Sequence, residues 1–362
     1  NLLCFHQCYR SQELFKLGCS FNVFVENGKT GISLNGLSDN FEKALVLFET
    51  VLNDPKLSEE ALKNTIDDIL KKRTDAKLDK TTILYSALSN YAKYGPVNPF
   101  TYILSEAELR KLVTEDISQK IKNLKSYKHR ILFYGSLSAE SVKKSLSINH
   151  ITPTALRDIP LEYNFKEQEY GGNVYITNYD MKQVEIVTVS NGAKYDVASL
   201  PVIKLYNTYF GGSMSGVVFQ DLRESKALAY SVYSEYAKPN KPEKKYTNFS
   251  YIGSQSDKLS EALKGMSYLL NTMPKANASF NAAKEQVLQD IQSQRITKSN
   301  ILMNYENALK FGHTHDVRKD IFEKVSQMTF EDILKFQETF VKGKPFTTLV
   351  LGDKSQLDIK AL

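Results

Sequence analysis

The sequence predicts an α+β protein made of two tandem copies of one unit, each a mainly antiparallel sheet backed by helices. Three observations carry that expectation. The chain has 362 residues, more than one hydrophobic core usually organises, so two domains are expected. Short segments recur along it in the same order. "TGISLNG" at 30–36 matches "TNFSYIG" at 247–253 with Thr, Ser and Gly in identical places, and an Ala-Leu helical pattern follows each, Ala44-Leu45 and Ala262-Leu263. "VTEDI" at 113–117 resembles "MTFEDI" at 328–333, and "RILFYG" ending at Gly135 matches "TTLVLG" ending at Gly352. The first and last matches share one offset, 30 to 247 and 135 to 352, as a tandem repeat requires. Finally, strand patterns are followed by runs of helical patterns rather than alternating with them, which favours α+β over a parallel sheet.

The elements follow in order. Residues 17–26 and 30–37 read as strands around an Asn27-Gly28 turn. Asp39 with Glu42 three residues on marks a helix start, and Phe41, Ala44, Leu45, Phe48 and Leu52 then recur at helical spacing. Helical patterns continue through 58–74, 80–94 and 105–124, and a strand at 130–134 closes the first copy. Pro153, Pro160 and Gly171 break residues 148–172 into a linker. The second copy opens with strands at 173–178 and 183–190 and a helix at 196–210. The first copy has only 1–13 in their place, so it is expected to be truncated at its N-terminal side. The domain division is 1–150 and 151–362.

Composition excludes several classes. Hydrophobic residues make up 42% and charged residues 24%, a globular balance. No apolar run reaches the roughly 18 residues of a membrane helix, so no membrane span is expected. The formal charge of +6 comes from lysines scattered along the chain, which reads as solvated surface and not as a nucleic-acid stripe. The first residues carry no charged leader and no cleavage-like site, so they are not read as a signal peptide. Cys4, His6 and Cys8 look like metal ligands, but on a helix His6 points about 200° from Cys4 and a fourth ligand is lacking. With Cys19 they make an odd count and no disulfide framework, and they read as small buried hydrophobes. His313 and His315 read as solvated polar residues, and His129 and His150 have no acid or nucleophile at a diagnostic spacing. No zinc-hydrolase motif and no Gly-x-Ser-x-Gly elbow appears, and Gly211-Gly212-x-x-x-Gly216 lacks the lysine of a phosphate loop. No metal or cofactor site is assigned to this chain.

The chemistry concentrates in "YFGGSMSGVVFQDLRESKALAYSVYSEY", 209–236. Gly211-Gly212 permits a turn after one helix. A short helix through Val217, Val218, Phe219 and Leu222 then ends near Arg223. Tyr230 opens the next strand, where alternate residues face opposite sides. A guanidinium and a phenol converging there would donate hydrogen bonds to one carbonyl oxygen as it becomes negative. The residues alone leave two alternatives open, Arg223 offsetting a helix C-terminus and Tyr230 packing in a sheet.

This stretch resembles the C-terminal domain of the pitrilysin/insulinase family of zinc metallopeptidases, the inverse zincins, through its Phe-Gly-Gly, Gln-x-x-Arg-Glu and Leu-Ala-Tyr-Ser pieces. The resemblance extends over nearly the whole chain. It implies two tandem α/β-roll domains of the mitochondrial processing peptidase-like metallohydrolase fold, the third and fourth of a four-domain clamshell. It implies that Arg223 and Tyr230 contact the substrate backbone near the scissile carbonyl, beside a zinc held by the other half. The implied partners are that N-terminal catalytic half, in the same polypeptide or a separate subunit, and peptide substrates. The zinc motif, the second zinc carboxylate, the general-base Glu and the substrate-pairing edge strand of the family are absent here, and Ala227 stands where Gly is common. The expected function is therefore the non-zinc, substrate-binding half of a metalloendopeptidase, inactive alone, with a catalytically inactive scaffold or assembly subunit of the same fold as the alternative.

Overall fold

Period-two alternation shapes the first unit, in a computed structural model that describes residues 9–26, 29–298 and 300–359. Strand β1 (Cys19–Glu26) pairs antiparallel with β2 (Lys29–Gly36), and the Asn27-Gly28 turn expected between them lies outside the described residues. Phe21 stands opposite Leu34 and Val23 opposite Ile32, so these four apolar side chains share one face. That face packs on helices. Phe21 and Leu34 join Leu14, Cys19 and Ala44, while Val23 and Ile32 join Leu52, Leu62, Ile66, Leu109, Ile117 and Ile121. Helices Phe41–Asn53, Glu59–Ala76 and Thr114–Lys122 supply most of these. The single helix expected over 105–124 is two. Glu106–Arg110 starts from a Ser105–Glu108 capping box and stops, and the next helix begins where Glu59 accepts hydrogen bonds from both the N–H and the hydroxyl of Thr114.

The second unit holds a five-stranded sheet in the order β3-β7-β4-β6-β5. Its strands are β3 (Val174–Asn178), β4 (Gln183–Lys194), β5 (Ser231–Ala237), β6 (Lys245–Gln255) and β7 (Thr347–Gly352). β3 runs parallel to β7, and the remaining pairs are antiparallel. Val184, Ile186, Val232, Ile252 and Val350 point to one face, where helices Leu200–Phe210, Leu259–Asn271, Asn277–Ser293 and Phe330–Phe340 cover them.

Val187, Val189, Tyr251, Leu349 and Leu351 point to the other face, and what covers them corrects the expected domain division. Leu84 and Ala92, inside the helical pattern at 80–94, pack there. Residues Ala76–Tyr102 thus belong to the unit formed by Phe165–Leu362, and the other unit is Asn1–Asp75 with Ile103–Asn164. The units are not the consecutive spans 1–150 and 151–362. Sequence order kept 76–102 with the first copy, but a helix goes where an apolar sheet face needs covering.

The two copies share a plan. In each, the Thr-x-x-Ser-x-x-Gly strand leads through one 3₁₀ turn (Ser38–Asn40, Ser256–Lys258) into a 13-residue helix and then a longer one. The register also repeats, with Gly36 opposite Cys19, the first residue of β1, and Gly253 opposite Ser231, the first residue of β5. The strand expected at 130–134 is not formed. Its counterpart β7 is held between β3 and β4, and the first unit has no equivalent of either among the described residues.

A buried ion cluster ties the end of the first unit to its helix Phe41–Asn53. Glu49 is 4% exposed; its Oε2 accepts from Lys125 Nζ at 2.8 Å, and its Oε1 lies 2.6 Å from His150 Nδ1. His150 Nε2 lies 2.9 Å from His129 Nε2, and His129 Nδ1 donates to the Tyr127 carbonyl at 2.7 Å. The two histidines therefore do have an acid, 101 residues from His150 in sequence. Burial by itself would raise the Glu49 pKa, but hydrogen bonds from His150 and Lys125, and their charges, hold it below the usual carboxylate value. A carboxylate with a depressed folded pKa stabilises the fold above its unfolded pKa of about 4, and that contribution is lost as pH falls through the lower folded value. Glu49→Gln leaves Lys125 buried without a counter-charge and is expected to cost about 3–5 kcal/mol at pH 7. Urea unfolding at pH 7 and in the acid limb checks this: the variant should be less stable at neutral pH and should lose less on acidification. A neutral-pH loss below about 1 kcal/mol would show that the cluster does not hold the unit together.

Candidate functional site

Helix Leu200–Phe210 carries Pro201 in its first turn and buries Ile203, Leu205, Tyr206, Tyr209 and Phe210. Asn207 locks the helix to the sheet edge. Its Oδ1 accepts from Tyr236 N–H at 2.8 Å and its Nδ2 donates to the Tyr236 carbonyl at 3.2 Å, much as a neighbouring strand would. Gly211 follows with φ −141°, outside the left-handed region, so it is not there for a left-handed turn. A Cβ on it would lie 2.3 Å from the Ser234 carbonyl oxygen and 2.6 Å from its nitrogen. Close approach of helix end to β5, and not turn flexibility, requires the first glycine of the pair.

The chain then coils through Val217–Phe219 into wider π-type turns over Gln220–Ser225. Val217, Val218 and Leu222 face the core, while Arg223 stays on the outside in the last turn. Its guanidinium lies over the Phe219 ring, 4.7 Å from the centroid, and its Nε is 3.7 Å from a Glu224 carboxylate oxygen. The side chain is 44% exposed. Ala227 closes the turn at φ 49°, and its carbonyl accepts from Lys258 Nζ at 2.9 Å.

Tyr230 immediately precedes β5. Its N–H donates to the Gly253 carbonyl at 2.9 Å, its ring lies over Gly253, and the residue is 39% exposed. The surrounding groups come from distant elements. Glu185 of β4, buried and opposite Gly253 in the ladder, accepts from Lys80 Nζ at 2.5 Å. That bond, outweighing burial, raises the Lys80 pKa. Tyr251 and Tyr233 stand opposite each other across the ladder and stack with centroids 5.4 Å apart, and Tyr85 lies 6.0 Å from Tyr251. Burial first, then a hydrogen bond with Tyr230 and the charge of Glu185, push the Tyr251 phenol up, so it stays protonated at neutral pH. Arg223 and Tyr230 thus each rest on neighbours of their own, Phe219 in one case and Gly253 with Tyr251 in the other. The sequence pointed to both of them, but Lys80, Glu185, Tyr85 and Tyr251 carry no motif. Only Gly253, through the repeat, had a signal.

The remaining candidates lie elsewhere. His313 Nε2 is 2.9 Å from the Tyr195 hydroxyl and His315 Nε2 is 2.8 Å from Asp320, so the two rings engage different partners. Cys4, His6 and Cys8 lie outside the described residues, and Cys19 is buried. Among the described residues no three or more His, Cys, Asp or Glu gather as a metal site, and no helix is long and apolar enough to cross a membrane.

Residues 131–287, which include this region, match the family described as peptidase M16 inactive domain. A Rickettsia bellii protein described as an uncharacterized zinc protease is 24% identical over 228 residues, 62% of this chain and 54% of that protein. The chain therefore spans about half the length of that curated relative. The peptidase M16 inactive domain from Pseudomonas fluorescens has a TM-score of 0.69 at 16% identity, covering 95% of this chain and 83% of the other. The periplasmic protease PqqL from Escherichia coli has a TM-score of 0.68 at 14% identity, with 95% of this chain matched to 38% of that one. At these identities the likeness to solved structures is one of fold.

The backbone at Ala227 offers a direct check of the turn that follows Arg223. A non-glycine residue in the left-handed region costs about 1–2 kcal/mol, and glycine returns about 0.5–1 kcal/mol of that as chain entropy. Ala227→Gly is expected to stabilise by about 0.5–1 kcal/mol and to raise the melting temperature by roughly 1–4 °C. Scanning calorimetry of the two proteins measures it, and a lower melting temperature would contradict the strain.

Proposed function

We propose that this chain, which carries the inactive domain of the M16 peptidases, is the non-zinc, substrate-binding half of a zinc metalloendopeptidase. Its partner in that reading is an N-terminal catalytic half, continuous with it or a separate subunit, and its substrates are peptides held between the halves. The observation that carries the reading is the presentation of Arg223 and Tyr230. Both are polar donors, both are about two-fifths exposed, and each is supported from behind, Arg223 by Phe219 and Tyr230 by Gly253. Side chains that served only as core would be buried, and side chains that served only as solvated surface would not be so backed.

Amide hydrolysis places negative charge on the scissile carbonyl oxygen. A fixed cation and a phenol O–H aimed at that oxygen stabilise it more in the transition state than in the ground state. Arg223 brings a planar fork of N–H donors, and Tyr230 brings a single O–H donor. Zinc, held by the other half, would polarise the same carbonyl and activate water. Alone, this chain supplies donors and no nucleophile, so it is not expected to hydrolyse peptides.

The test uses the intact protein with both halves. Tyr230→Phe removes one hydroxyl and keeps the ring, and is expected to lower kcat by about 10²–10³ with little change in KM. Arg223→Lys keeps the charge but loses the fork and the stack on Phe219, and should also be impaired. Unchanged thermal melts would separate both effects from misfolding. Full turnover and unchanged KM in Tyr230→Phe would make the pair structural and put the scaffold reading first.

A further inference from the structure

We infer that Gly253 and Tyr251 are positioning residues for Tyr230: the absent side chain of Gly253 is the seat of its ring, and Tyr251 holds its hydroxyl. The inference rests on the reading that Tyr230 meets the substrate, and it identifies what aims that residue.

The seat is defined by three atoms. A Cβ built on Gly253 would lie 2.6 Å from Tyr230 Cζ, 2.7 Å from Tyr230 Oη and 2.9 Å from Tyr251 Oη. The end of one phenol and the oxygen of a second therefore converge above a single glycine. Gly253 sits inside β6, paired with Glu185 on one side and Ser231 on the other. Glycine weakens such a position, since it packs nothing and gives up backbone freedom, so its use there marks a close approach. The first copy supports this. Gly36 occupies the same repeat position, and a Cβ on it would meet Cys19 Sγ at 2.3 Å. Both repeat glycines thus meet a close neighbour, the thiol of the residue opposite in one unit and the phenol of the residue before the opposite one in the other.

Tyr251 is suited to hold that phenol. It lies two residues before Gly253 on the same strand face, is only 8% exposed, and is clamped by stacking with Tyr233. As it stays protonated, its O–H can donate to the Tyr230 oxygen and leave the Tyr230 proton free to point outward. Tyr230 is also tethered from below, since its own N–H donates to the Gly253 carbonyl. Ring and backbone are thus referenced to one residue, and the donor is aimed before any substrate arrives.

Gly253→Ala tests the seat. The two nearest colliding atoms, Tyr230 Cζ and Oη, belong to the far end of a side chain that can swing into solvent, and the third is the tip of Tyr251, so the fold should survive while the Tyr230 ring is displaced. In this chain labelled with ¹³C-tyrosine, ring signals lost in Tyr230→Phe identify Tyr230, and Gly253→Ala should shift them while leaving those of buried Tyr206 in place. In the intact two-half protein, Gly253→Ala should lower kcat about 10- to 100-fold, because misplacement by about 1 Å costs on that order. In the Tyr230→Phe background it should add less than about threefold, since its effect passes through the hydroxyl already removed. Tyr251→Phe, which perturbs packing less, should lower kcat about fivefold, as expected for one neutral hydrogen bond, and should be silent in the same background. Tyr230 signals unmoved by Gly253→Ala, or full additivity with Tyr230→Phe, would overturn the inference. Unchanged kcat in Tyr230→Phe would instead overturn the functional reading, and the ring signals would still decide whether the seat exists.

Discussion

One strand, hydrogen-bonded along both edges and buried on both faces, organises the larger unit. β4 pairs with β6 and β7, and its residues 184–190 are all buried. Its even positions, Val184 and Ile186, enter the layer under helices Leu200–Phe210 and Leu259–Asn271, and its odd positions, Val187 and Val189, enter a second layer under Leu84 and Ala92. A sheet apolar on one face needs one cover, but β4 needs two. That requirement draws residues 76–102 out of their sequence neighbourhood. It also brings Lys80 to Glu185, a carboxylate on the odd face that would otherwise be buried without a partner.

The same constraint explains the asymmetry between the copies. The first unit repeats the strand, the 3₁₀ turn and the two helices, but among the described residues it has no strand in the place of β4. Its hairpin is covered on one face only, and 130–134, which the match with β7 marks as a strand, joins no sheet among the described residues. Strand propensity is a property of a surface that fits a neighbouring strand, so a segment with the right residues and no sheet edge to join does not form one. The first unit answers with polar ties. Glu49, Lys125, His129 and His150 link its helix Phe41–Asn53 to elements that no sheet brings together.

The candidate site was legible in part. Arg223 and Tyr230 stood out because a short local spacing joined them to a glycine pair and a strand start. The role of that pair was legible only as a turn, yet the φ of Gly211 is negative and the Ser234 backbone beside it is what excludes a side chain. Ala227 was seen as a departure, and its φ of 49° is the cost of that departure. The groups around Tyr230 could not be read. Lys80 and Glu185 are 105 residues apart, and Tyr251 looks like any strand aromatic until the ladder sets it opposite Tyr233 and beside Gly253.

By itself the sequence determined what depends on neighbours in the chain. The α+β class, the repeat, the helix that follows Asp39, and the strands β1, β2, β3, β4 and β5 all follow from patterns over short windows. Tertiary structure alone decided which unit residues 76–102 join, whether 130–134 becomes a strand, and which side chains reach Glu49, Glu185 and Tyr230. Those outcomes depend on covering an apolar face, completing a ladder or neutralising a buried charge. Each is satisfied by whichever group the fold brings within contact distance, and sequence separation places no limit on that choice.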